Sequence, residues 1–185
     1  LFVKIDEIKI HLSVNLIMSC KNFVSKQKNA STHINSSFND FKILDCSRLF
    51  LSFDSFKMKR NDILINDLIF ILNAPALNYL FSVFSFNELK EKYKLTISNI
   101  SVKLPFSEVV ILVFINQFQY DGEGKILIDH FSAKSGQEET DEKFVENSSY
   151  LINPISFQIY VNFDQNKVNI RYQIEELTIN FEQEE

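Results

Sequence analysis

The chain has 185 residues and a formal net charge of −5, so it has the size of one domain and lacks the basic balance typical of nucleic-acid binding. Its hydrophobic fraction of 45% suffices for a core, while its longest apolar run, 109–115, is far shorter than the roughly 20 residues of a transmembrane helix. Cys20 and Cys46 form no CxxC motif, which excludes a disulfide framework and a thiolate zinc site.

One pattern recurs along the chain. Apolar and polar residues alternate, two polar residues then stand together, and the alternation resumes in the opposite phase. Alternation with a period of two predicts a half-buried β-strand, and the phase shift predicts a β-bulge or a bend. Six such units predict a long, coiled, antiparallel sheet with one apolar face. They lie at residues 5–8, 65–68, 97–100, 115–118, 128–131 and 174–177.

The first part of the chain contains several predicted strands. Residues 1–14 alternate from the start, which predicts a strand and, because the chain begins with Leu1, an internal fragment of a longer protein. An apolar stretch at 16–24 leads to 25–40, which is rich in Ser, Asn and Lys and is predicted to be a mobile loop. Residues 42–58 and 62–72 alternate again and are predicted to be extended.

Residues 75–92 are the one predicted helix. Pro75 stands where a first-turn proline is favoured, and four apolar residues follow at helical spacing: Leu77, Leu80, Phe81 and Phe84.

Five strands are predicted after the helix, at 94–104, 108–120, 125–134, 155–163 and 167–181. The sequence Asp-Gly-Glu-Gly at 121–124 predicts a short hairpin loop, and the acidic segment 135–150 is predicted to be a mobile loop. The alternation in the last two strands is strict, which predicts one face in water and one face out of it.

The sequence contains no constellation of catalytic residues. His11, His33 and His130 are scattered without partners at metal-ligand spacing, so each is interpreted as a surface or strand histidine. Phosphate-binding, nucleophile and zinc motifs are absent. The prediction is therefore a non-enzymatic protein without a cofactor or metal.

Two features of the sequence have a functional interpretation beside a purely structural one. The basic cluster of Lys57, Lys59 and Arg60 is either a solvated strand end or a contact for lipid phosphate. The apolar face is either the core between two facing sheets or the lining of a groove that acyl chains fill. Periodicity alone leaves both alternatives open.

A crossing segment followed by five antiparallel strands with phase shifts, as in 95–102, resembles the repeating β-groove unit of the bridge-like lipid-transfer proteins. This is the family of the chorein-type vacuolar-sorting and autophagy proteins. The resemblance implies a mainly β fold, a long curved antiparallel sheet that forms an open groove of five-strand units with one crossover helix at 75–92. Residues 1–72 would end a preceding unit, and 73–181 would form a full one. The family's Gly-rich and aromatic N-terminal segment is absent, which implies an internal piece.

The resemblance also implies a function. The chain would be a cytoplasmic lipid-transfer module, peripheral at organelle membrane contact sites, whose partners are phospholipid acyl chains and, through the full-length protein, organelle membranes. No nucleic-acid partner is expected. The alternative is a non-enzymatic β-sandwich interaction domain of a larger scaffold protein. The lipid-binding residues that the resemblance implies are Ile97, Val102, Leu104, Ile126, Ile128, Phe157, Ile159, Val161, Phe163, Val168, Ile170 and Tyr172.

Overall fold

The computed structural model of the chain describes residues 2–11, 16–27, 34–45, 48–71, 93–105, 109–140, 143–164 and 167–174. Within them, ten β-strands form a single open sheet whose spatial order follows the chain. The strands are β1 (Phe2–His11), β2 (Leu16–Gln27), β3 (Ile34–Asp45), β4 (Arg48–Lys59), β5 (Asp62–Ile71), β6 (Lys94–Pro105), β7 (Val110–Tyr120), β8 (Lys125–Thr140), β9 (Lys143–Asp164) and β10 (Lys167–Ile174). The predicted mainly β fold with a long curved sheet is confirmed. The predicted helix at 75–92 lies outside the described residues.

The sheet consists of two antiparallel five-stranded meanders. Every neighbouring pair is antiparallel except β5 and β6, which pair in parallel. A parallel pair requires the intervening chain to return along the sheet, whereas antiparallel neighbours need only a short turn. The single parallel pair of the described sheet therefore separates β1–β5 from β6–β10. The first meander has five strands, like the second.

The five strands predicted after the helix are present as β6–β10 within the described residues, while 175–181 of the last predicted strand, with its predicted bend, lie outside them. The predicted hairpin loop between β7 and β8 is confirmed. The Asp121 carboxylate accepts the backbone N–H groups of Glu123 at 2.7 Å and Lys125 at 3.0 Å. These bonds hold the pKa of Asp121 below its usual value, the bond from Glu123 contributing most. Gly122 and Gly124 have φ angles of 83° and 113°, a region that glycine enters without steric cost.

The two segments predicted to be mobile loops are largely strands, and both predictions were wrong in this respect. β2 continues to Gln27 and β3 begins at Ile34, so most of 25–40 is extended. β8 and β9 together cover most of 135–150. Neighbouring strands are joined by hydrogen bonds between backbone groups, so strand pairing continues where apolar and polar side chains no longer alternate. At the start of β3, for example, Ser36 and Ser25 face each other, their hydroxyl oxygens 3.1 Å apart.

The sheet buries few side chains. The sandwich alternative requires a second sheet against the apolar face, but the ten described strands all belong to one sheet. The buried apolar residues among those described are Leu16, Cys20, Phe50, Phe53, Ile100, Val110, Leu112, Ala133 and Ile155.

Candidate lipid-binding face

One face of the sheet carries an uninterrupted row of apolar side chains, one from each strand. Residues that are directly opposed on neighbouring strands lie on the same face of a sheet, so the register defines the row. The rings of Phe23 and Phe38, stacked at 6.4 Å, join β2 to β3. The row, from β1 to β10, is Ile5, Phe23, Phe38, Phe56, Ile65, Ile97, Phe118, Ile128, Phe157 and Ile174.

A second apolar row runs parallel to the first on the same face. Its direct partners include Ile8 with Cys20, Phe41 with Phe53, and Ile100 with Leu68 and Ile115. On β8 and β9 it continues through Phe131 and Ile155. We call the surface that contains both rows the apolar face, and the opposite surface the polar face.

The two apolar rows are separated by a line of polar residues that crosses the sheet. We call it the polar row. Each member is directly opposed to the next, and it forms an unbroken series across eight strands. Its members are Glu7, Lys21, Asn39, Ser55, Asn66, Ser98, Gln117 and Asp129.

The polar row explains the phase shifts in the sequence. In five strands the second of the two polar residues has a positive φ angle of 49–57°, and these residues are Asn22, Asp40, Asp67, Asn99 and His130. Asn, Asp and His are the non-glycine residues that enter this region most readily. Where two neighbouring strands bend at opposed positions their register is conserved, as between β6 and β7. The feature is therefore a bend shared by many strands, and it keeps the two apolar rows on the same face of the sheet.

Hydrogen bonds between strands reinforce the bend. Asn66 Nδ2 donates to Ser55 Oγ at 2.8 Å, and Asn99 Nδ2 donates to Asp67 Oδ1 at 2.9 Å. Between β2 and β3, the Lys21 ammonium lies 2.7 Å from a carboxylate oxygen of Asp40, and this contact lowers the pKa of Asp40.

Asp129 joins three strands at the bend. It accepts hydrogen bonds from Asn116 Nδ2 of β7 at 3.1 Å and from Ser156 Oγ of β9 at 2.8 Å. Nδ1 of His130 lies 2.8 Å from the same carboxylate. These contacts, with His130 contributing most, lower the pKa of Asp129 to about 2. The serine bonds to the carboxylate and not to the imidazole, so this is not the arrangement of a catalytic triad.

The Asp129→Asn substitution is expected to reduce the free energy of unfolding by roughly 1 kcal/mol at neutral pH, because an amide cannot accept all three bonds. The pKa of Asp129 is lower in the folded state, so its contribution to stability is complete above about pH 4 and is lost as the pH falls to about 2. Urea unfolding of the variant should therefore depend less on pH within this window. Asp54→Asn, which changes an exposed carboxylate in the bend of β4, is the control. Equal pH dependence in Asp129→Asn and the unmodified protein would contradict the role of Asp129.

An aromatic cluster occupies the apolar face of β2–β4. The rings of Phe41 and Phe53 stack at 4.5 Å, and those of Phe38 and Phe56 stack at 4.6 Å. Phe23 extends the cluster towards β1. These residues were not predicted as part of the candidate site, because the implied lipid-binding residues all lie in 73–181 and no local pattern shows that three strands bring these rings together. The signal was present, since 20–23, 38–41 and 53–56 contain the same pair of polar residues between apolar ones.

The predicted lipid-binding residues occupy register positions on the apolar face. Ile97, Ile128 and Phe157 belong to the first apolar row. Ile126, Ile159 and Tyr172 oppose one another beside this row, on the side away from the polar row. Val161 pairs with Ile170, and Phe163 pairs with Val168 at the backbone level. Val102 and Leu104 lie across the polar row from these ten residues, paired with Val113 and Ile111. Binding of lipid by any of them stays a prediction.

Much of the apolar face is accessible to solvent. Ile5 of β1 is 41% exposed, while Ile170 and Tyr172 of β10 are 62% and 74% exposed. Most of the other predicted residues with described side chains are partly exposed. Apolar patches larger than a few hundred Å² are uncommon on soluble monomers and mark sites of interaction.

In the described ranges we find neither a helix that is long and apolar enough to span a membrane nor a group of three or more potential metal ligands. No protein-family model matches the chain, and no curated protein matches it.

Proposed function

We propose that the apolar face binds the acyl chains of phospholipids and that the chain is a lipid-transfer module of a longer protein. The observation that carries this proposal is the apolar row that runs through all ten strands of an open sheet. Nine inter-strand spacings of about 4.8 Å give the row a length of about 43 Å. This length exceeds the roughly 30 Å thickness of the hydrocarbon core of a bilayer.

Acyl chains fit this face better than a ligand with many polar groups. Both apolar rows consist mainly of Phe, Ile and Leu, which offer no hydrogen bonds, and covering them is worth about 25 cal/mol per Å². The polar side chains of the bend connect neighbouring strands, as Asn66 does with Ser55. Lipid headgroups would stay at the rim of the sheet, in water.

The resemblance to the bridge-like lipid-transfer proteins supports the wider part of the proposal. In that setting the module acts in the cytoplasm at contact sites between organelles. The full-length protein contacts the membrane from which lipid is taken and the membrane to which it is delivered. The two successive five-stranded meanders are consistent with a repeating unit.

The test is native mass spectrometry of the purified protein with extraction of the bound lipid. The double variant Ile159→Asp and Ile170→Asp places two charges on the apolar face and is expected to lower the amount of bound phospholipid at least tenfold. The control variant, Gln158→Asp and Arg171→Gln, makes the same change in net charge on the polar face of the same strands. It should retain the lipid.

Circular dichroism separates binding from folding. Loss of lipid with the β-sheet signal intact would support the proposal. Unfolding of the double variant would mean that the face is a closed core, and a lipid-free, monomeric, cooperatively folding protein would favour an interaction domain instead.

A further inference from the structure

A basic patch lies on the polar face, at the margin of the sheet where β1, β3, β5 and β6 begin. We call this surface the basic patch. It consists of two neighbouring rows of directly opposed residues and of Arg60, which lies beside the rows in the turn between β4 and β5. The outer row is Phe2, Lys26, Asn35, Lys59, Asp62 and Lys94. The inner row is Lys4, Val24, Ser37, Lys57, Leu64 and Thr96.

The basic patch has the opposite sign to the chain, whose net charge is −5. It contains five lysines and Arg60, and all six are exposed. Among the described residues, three carboxylates lie beside them. They are Asp62 in the outer row, Asp6, whose oxygen lies 3.9 Å from Lys4 Nζ, and Asp121, which lines the same cleft as Lys94. Charges farther away than about 8 Å are screened at physiological ionic strength, so a partner at this margin meets the local excess of cations.

Apolar side chains stand among the lysines. Phe2 is 60% exposed and Leu64 is 44% exposed, and both belong to the two rows. Lys26 Nζ lies 5.4 Å from the centroid of the Phe2 ring. A surface that mixes exposed lysines with Phe and Leu suits the headgroup region of a bilayer, where cations meet phosphates and apolar groups enter the acyl boundary.

We propose that the basic patch docks the sheet on a bilayer that contains anionic phospholipid. Because the patch lies on the polar face at the margin of the sheet, docking leaves the apolar face uncovered. The proposal does not rest on lipid filling the apolar face, and its test uses a different surface.

The experiment measures sedimentation of the protein with vesicles of phosphatidylcholine alone and of phosphatidylcholine mixed with phosphatidylserine. Each lysine near an anionic surface strengthens binding roughly fivefold. The triple variant Lys26→Gln, Lys57→Gln and Lys59→Gln should therefore bind the anionic vesicles at least tenfold more weakly. The control, Lys9→Gln, Lys103→Gln and Lys134→Gln, removes the same charge from the polar face beyond the polar row and should bind like the unmodified protein.

Three outcomes would overturn the proposal: no binding of the unmodified protein to anionic vesicles, equal binding to neutral vesicles, or equal losses in the two triple variants. Inorganic phosphate is added as a competitor. If millimolar phosphate displaces the protein while chloride of equal ionic strength does not, the patch is a site for free phosphate, which also overturns bilayer docking. Circular dichroism of each variant checks that the sheet is intact, and a tenfold loss confined to the folded patch variant is the supporting result.

Discussion

The Gly124→Ala substitution is expected to lower the free energy of unfolding by about 3 kcal/mol or more, because two costs add. Gly124 has a φ of 113°, which an alanine adopts only with strain. A Cβ atom on Gly124 would also lie 2.2 Å from the carbonyl oxygen of Val161, well inside contact distance. The obstacle is backbone, so no rotation of a side chain relieves it.

The position of Gly124 extends this effect to a third strand. Its carbonyl accepts a hydrogen bond from the N–H of Val161 at 2.8 Å, so the hairpin loop between β7 and β8 is attached to β9. Displacing the loop would strain the start of the β8–β9 ladder. Urea unfolding measures the effect, and Glu123→Ala in the same loop, at an exposed position, is the control with an expected change below about 0.5 kcal/mol. A loss below about 1 kcal/mol for Gly124→Ala would contradict this packing.

The second large effect is expected for Phe53→Ala, at about 3 kcal/mol. Phe53 is 8% exposed although it lies on an open sheet, because the rings of Phe41, Phe38 and Phe56 surround it at centroid distances of 4.5, 5.7 and 6.5 Å. Removing the ring forfeits its buried area and its contacts with three aromatic neighbours.

Leu64→Ala is the matched control, since Leu64 lies on the polar face of the adjacent strand and is 44% exposed. Its expected loss is below about 1 kcal/mol. Equal losses for the two variants in urea unfolding would mean that the aromatic cluster does not stabilise the sheet. If lipid covers the cluster, added phospholipid should raise the stability of the unmodified protein by mass action.

The sequence predicts some elements of the fold well, for a physical reason. Strict alternation, as in Ile155–Phe163, reports the two different environments of a half-exposed sheet, so β6–β10 and the hairpin at Asp121–Gly124 could be predicted. The pairs of polar residues were informative too, because the shared bend requires them at the same level in successive strands.

Other features depend on contacts that a local pattern does not contain. The start of β3 is polar on both faces, and Ser36 opposite Ser25 gives no alternation, so the strand resembled a loop. The parallel pairing of β5 with β6 joins residues about 32 positions apart, as in Ile65 with Ile97, and periodicity says nothing about partners. The aromatic cluster was missed for the same reason, since three strands bring its rings together.

Acyl-chain binding by the apolar face is measured directly by photo-crosslinking with a phospholipid that carries a diazirine on an acyl chain, followed by mass spectrometry of the adducts. Residue pairs on opposite faces of the same strands, such as Ile97 with Thr96 and Ile159 with Gln158, give the comparison an internal control. Adducts are expected at Ile97, Ile128 and Ile159, along the apolar face. Adducts distributed equally over Thr96 and Gln158, or none on the apolar face, would show that this face does not bind acyl chains.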